Sequence, residues 1–121
     1  MVVVAAGAPD LVGRGVELEA VDRALGAAEA ATTTSVLCWG EPGIGKTRLA
    51  EEVALRAGAR GFVTAWGIAD DSVGTPPHWP WIQVLRSLSE AIDLRDVADR
   101  RGLTPDLARL APDVFGSEVA P

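Results

Sequence analysis

Residues 40 to 47 read Gly-Glu-Pro-Gly-Ile-Gly-Lys-Thr, and this run limits the chain's possible folds more than any other part of it. It satisfies G-x-x-x-x-G-K-[ST] at every fixed position. Each residue type has a physical reason to be there. Gly40, Gly43 and Gly45 admit backbone torsions closed to other residues and let the main chain approach an anion closely. Successive backbone N–H groups then form a concave nest, and a helix beginning near Lys46 adds the positive end of its dipole. The Lys46 ammonium can reach the β- and γ-phosphates of a nucleotide, and the Thr47 hydroxyl suits Mg²⁺, a hard ion that prefers oxygen. Pro42 stiffens the loop. At this chain's composition the pattern arises by chance roughly once in a thousand such sequences. The alternative reading is a glycine-rich turn that binds nothing.

The flanks agree with the motif. Ser35-Val36-Leu37-Cys38-Trp39 is a short apolar run closed by Gly40, the signature of a buried strand in a parallel sheet. From Lys46 to Ala57 the spacing turns helical, with Leu49 and Val53 on one face and Gly58 as a stop. Phe62-Val63-Thr64-Ala65-Trp66 reads as a second strand ending at Gly67. Strand, glycine loop, helix and strand make one βαβ unit. The fold class expected is therefore α/β: a P-loop NTPase core with a parallel sheet and flanking helices. It would be incomplete, truncated after two or three strands.

The rest of the chain is organised around this unit. Residues 1–10 read as a flexible leader. Val16 to Ala30 has helical spacing, with Val21, Leu25 and Ala28 on one face, and Glu17 and Glu19 in the first turn where acids suit the dipole. Ile68 to Pro77 is a polar, Pro/Gly-rich loop. Pro80 opens a helix carrying Trp81, Ile82, Leu85 and Leu88 to about Ala91, and weaker helical signals follow to Arg100 and from Pro105 to Leu110.

Composition excludes several classes. The chain has 121 residues, 48 % hydrophobic and 23 % charged, enough for one small globular domain. A net charge of −6 gives no electrostatic footprint for direct nucleic-acid binding. No apolar stretch is long enough for a membrane helix, so no membrane partner and a cytoplasmic location are expected. Cys38 is the one cysteine, read as a buried, inert thiol, and His78 is the one histidine, which leaves no cysteine or histidine metal cluster. Lys46 is the one lysine beside ten arginines, and it falls inside the motif.

A longer resemblance covers Leu11 to about Leu88. Leu11-Val12-Gly13-Arg14 followed by Glu17-Leu18 resembles the box that opens the ATPase domain of STAND-type signalling ATPases, close to the AAA+ class. Gly40 to Leu49 is similar to the Walker A of that group, and Thr75-Pro76-Pro77-His78-Trp79-Pro80-Trp81 resembles a stretch frequent in large bacterial regulators of the LuxR and SARP types. Residues 11–121 would then be the N-terminal portion of such a domain. The resemblance implies ATP with Mg²⁺ as cofactors of a transcriptional switch. It places Val12, Gly13 and Arg14 near the base. The cofactor-binding set is then Gly40, Glu41, Pro42, Gly43, Ile44, Gly45, Lys46, Thr47 and Arg48, with Thr47 on the metal and no catalytic residue named.

Two departures from the pattern are visible. Gly15 stands where the family has an acid, and His78 where tyrosine is common. Hydrolysis needs a Walker B strand, and the nearest candidate, Trp66-Gly67-Ile68-Ala69-Asp70-Asp71, has a glycine within it. Hydrolysis is therefore expected to be weak or absent. The alternatives are a non-catalytic interaction or relict fragment that pairs with a related ATPase through Trp79 and Trp81, and a small kinase or phosphotransferase. An open sheet edge would also favour self-association.

Overall fold

The computed structural model describes residues 2–3, 15–38, 40 and 45–116. Among them the regular elements are β1 (Val2–Val3), α1 (Gly15–Glu29), β2 (Ser35–Val36), α2 (Lys46–Ala59), α3 (Trp79–Ala91), α4 (Leu94–Arg100), α5 (Thr104–Leu110) and α6 (Pro112–Phe115). The chain divides into two compact units, Met1–Phe62 and Val63–Pro121.

In the first unit β1 and β2 pair in parallel, Val2 opposite Ser35 and Val3 opposite Val36. β2 is shorter than the apolar run predicted: Leu37 is exposed, and Cys38 is half-buried rather than enclosed. α1 and α2 bury one stripe each. Val21, Leu25, Val53 and Ala57 form the core, with Phe62 packed against it. Val21 and Leu25 are fully buried. Burying each such side chain contributes about 1.5–3 kcal/mol before entropy is counted.

The two helices run in the same direction. The Asp22 carboxylate accepts from Arg56 at 2.8 Å and lies 3.6 Å from Arg60, while Glu29, two turns further along α1, pairs with Arg60 at 3.0 Å. Progress along α1 therefore matches progress along α2.

Both helices close their own C-termini. In α2 the Phe62 N–H donates to Ala57 O and the Gly61 N–H to Gly58 O, both at 3.0 Å, with Gly61 left-handed at φ 84°. This is a Schellman motif, and Phe62 brings its hydrophobic contact back to the core. The helix thus runs past Gly58, which the sequence marks as a stop. The stop is Gly61, because that is where the left-handed torsion is needed. α1 ends the same way, but with Ala31 in the left-handed position at φ 63°.

The second unit is helical. Ala98, Ala111, Val114 and Phe115 form its core, with Leu85, Leu94, Leu107 and Ala108 against them. Asp93 caps α4 by accepting from the Asp96 N–H at 3.0 Å. Arg86 donates to Asp113 at 2.7 Å, which holds the Asp113 carboxyl below its usual range. That contribution is present at neutral pH and is lost as pH falls through the depressed value.

The second predicted strand is not formed. Residues 62–71 have no regular secondary structure, and Val63 and Trp66 are exposed. An apolar run becomes a strand only where a partner takes its hydrogen bonds. Here the bonds at Ile68 go to a side chain: Gln83 Nε2 donates to Ile68 O at 2.9 Å, and Gln83 Oε1 accepts from Ile68 N at 3.5 Å. Gly67 lies against the Pro80 carbonyl, so close that a Cβ there would collide with it.

Candidate functional site

The site is built at the start of α2. Gly45 is its N-cap and sits in the left-handed region at φ 90° and ψ 26°. A residue with a Cβ would cost about 1–2 kcal/mol in that conformation, which explains the glycine. No side chain caps the helix start, and the first turn carries no acid. Among the described residues, the N-cap offers no side-chain acceptor to the leading N–H groups of this 14-residue helix.

Lys46 closes the run on itself. Its ammonium donates to the Gly40 carbonyl oxygen at 2.5 Å, across six residues of chain. The first and seventh residues of the motif therefore meet, and the one lysine of the protein lies at the loop's mouth. A neutral carbonyl is a weaker partner for an ammonium than a charged oxygen, so a phosphate would displace it readily. Thr47 and Arg48 follow, both exposed on the first turn.

These described residues fit a phosphate-bearing ligand. They supply an ammonium, an uncapped helix start, a glycine without Cβ and a free-standing hydroxyl, with no carboxylate in the first turn to oppose an anion. Glu41, Pro42, Gly43 and Ile44, and likewise Val12, Gly13 and Arg14, lie outside the described residues.

Other candidates take local roles. Asp70 accepts from the Ser72 backbone N–H at 2.8 Å and from the Ser72 hydroxyl at 2.5 Å. Those two bonds hold its carboxyl below the usual range. Asp70 is thereby part of a local turn in an exposed loop, not the end of a strand. Among the described residues no three His, Cys, Asp or Glu side chains gather to hold a metal. His78 is exposed at the start of α3 with φ 62°. Trp79 is half-buried, with the Arg86 guanidinium 5.4 Å above its ring. Trp81 is 52 % exposed.

One further residue stands out. Glu17, on the first turn of α1, has a buried carboxylate oxygen, Oε2, with no hydrogen-bond partner. The sequence placed it in the opening box of the resemblance and in a helix first turn that suits an acid. An orphaned acceptor leaves no trace in spacing or composition.

A family model described as AAA ATPase domain matches residues 10–118. The chain belongs to that family, an AAA-type P-loop ATPase domain, and is a nucleotide-binding module of that type. No curated protein and no solved structure matches it. Among the described residues no helix is long and apolar enough to cross a membrane.

Proposed function

We propose that this chain is an ATP-binding regulatory module of the STAND type, similar to the front end of a LuxR-type regulator, which holds Mg-ATP on residues 40–48. The observation that carries this reading is the start of α2: an uncapped helix whose first lysine reaches back to Gly40. The local α/β order of residues 35–59, strand then glycine loop then helix, is the context such a loop requires. Lys46 would hold the β- and γ-phosphates, and Thr47 would present its hydroxyl to the metal. Glu41 to Gly45 would supply backbone N–H groups, with Arg48 beside them on the helix and Val12, Gly13 and Arg14 toward the base. Bound Mg²⁺ supplies charge neutralisation on the phosphates. Binding, rather than turnover, is the function on this reading. Asp70, the nearest acid to a Walker B, is engaged by Ser72.

A thermal shift experiment tests it. A ligand at about 100 times its Kd stabilises the folded state by about 2.7 kcal/mol. Mg-ATP should raise the melting temperature of the wild type and leave Lys46→Ala nearly unmoved. A wild type indifferent to Mg-ATP, ADP and GTP would sink the proposal.

The exposure of Trp66 and Trp81 favours a second reading, a non-catalytic interaction module. Nucleotide affinity separates the two, because the interaction module has no need of it.

A further inference from the structure

We propose that the cleft between α3, α4 and α6 is a binding site for a small zwitterion of the amino-acid type, an apolar α-amino acid or its dipeptide. The cleft lies wholly in the second unit, and the proposal does not rest on the phosphate-binding reading of residues 40–48.

The cleft has a volume of about 570 Å³. Small-molecule sites run from roughly 300 to 1,000 Å³, so an amino acid or dipeptide fits. It forms where α3 ends: the chain turns out of the helix at Ile92, and Asp93 at once caps α4. Arg86, Arg95, Glu90, Asp93 and Asp113 all line it, so both signs of charge are present.

Much of that charge is engaged within the protein. Arg86 pairs with Asp113 at 2.7 Å and lies over the Trp79 ring, which joins α3 to α6 and cancels one charge of each sign. Asp93 Oδ1 accepts from the Asp96 N–H at 3.0 Å. What remains is one open end of each sign. The Arg95 guanidinium is held through Nε, which donates to the Val114 carbonyl at 2.5 Å. Among the described residues its two Nη groups have no acceptor. A guanidinium fixed in this way presents a fork that grips a carboxylate with two hydrogen bonds. The Glu90 carboxylate has no donor among the described residues. It stands in the last turn of α3, where the final carbonyls add partial negative charge that favours a cation. Ile92, Leu94 and Val114 supply apolar surface between these groups, with Ile92 41 % exposed.

Simpler ligands fit this lining poorly. An inorganic anion would meet the carboxylates. A metal ion would meet the guanidinium groups, and among the described residues no three His, Cys, Asp or Glu side chains gather to hold one. An uncharged apolar ligand would desolvate Arg95 and Glu90 without replacing their water. A ligand with one carboxylate and one ammonium answers both open ends, and its apolar side chain covers Ile92 and Val114.

The test is NMR titration of the whole chain with L-leucine and leucyl-leucine. Beside them go two analogues that each lack one charge: leucinamide, without the carboxylate, and 4-methylpentanoate, without the ammonium. Wild type should bind at least one of the two zwitterions with a Kd in the low millimolar range or tighter, of the order of 1 mM. The amides of Ile92, Arg95 and Val114 should move most. Each analogue should bind roughly tenfold or more weakly. Glu90 is exposed, so Glu90→Gln keeps the fold. This variant should bind leucine more weakly by the same factor and no longer prefer it to 4-methylpentanoate, because only the partner of the ammonium is lost. No saturable shift from either zwitterion up to about 10 mM overturns the proposal. So does equal binding of leucine and both analogues by wild type, or shifts confined to residues away from the cleft. A Glu90→Gln variant that keeps the wild-type preference, or loses all ligands equally, overturns it as well.

Discussion

The two ends of α2 are treated in opposite ways. At the C-terminal end the chain meets its own needs: Gly61 and Phe62 close the last carbonyls, while Arg56 and Arg60 pair with Asp22 and Glu29. The N-terminal end is built differently. No side chain caps the helix, no acid sits in its first turn, and the glycine at its N-cap is left-handed. α4 shows that the protein can cap a helix when only folding is at stake, since Asp93 takes the Asp96 N–H directly. On the proposed function, the start of α2 is the end that meets the ligand. The proposal thus sets stability at one end of the helix and binding at the other.

The largest effect should come from the support that both ends share. Leu25→Ala removes a fully buried side chain between the two helices. It should cost about 2–5 kcal/mol in urea denaturation. If it costs less than 1 kcal/mol, the first unit has no common core and the contrast has no foundation.

Two glycines of the same segment then sharpen the comparison. Gly45→Ala forces a Cβ into the left-handed N-cap and should destabilise by roughly 1–2 kcal/mol while weakening Mg-ATP binding. Gly58→Ala lies inside the helix with open space around its Cβ. It should stabilise by about 0.5–1 kcal/mol and leave binding unchanged. Equal and same-signed effects at the two positions would break the comparison.

The smallest effect belongs to the ion pairs. Arg56→Met should lower the melting temperature slightly at low ionic strength, and this difference should vanish in concentrated salt. Mg-ATP affinity should not change, because Arg56 serves the closed end.

Much of this was legible in the sequence, and the failures have physical causes. α1, α2 and α3 follow from apolar spacing and fall within a residue or two of their predicted bounds, because each buries a single stripe. Gly45 and Lys46 follow from the motif, where torsion and charge dictate residue type. The end of α2 was misplaced because Gly58 and Gly61 look alike in sequence and differ only in torsion. The strand at residues 62–66 was expected from apolar, β-prone composition, but pairing depends on a partner that spacing does not reveal. Asp70 differs again: its engagement by Ser72, two residues on, is a local turn that Asp and Ser favour.

The central claim is that the open start of α2 binds nucleotide phosphates. Calorimetric titration of Mg-ATP into the wild type beside Lys46→Ala tests it most directly. Losing one charge-assisted contact should weaken binding by about 1.5–3 kcal/mol, or roughly 10- to 150-fold. The variant's denaturation midpoint should stay close to wild type, since Lys46 gives up only its bond to Gly40. A folded wild type that takes up no Mg-ATP, or a variant that binds it as tightly as wild type, would contradict the account.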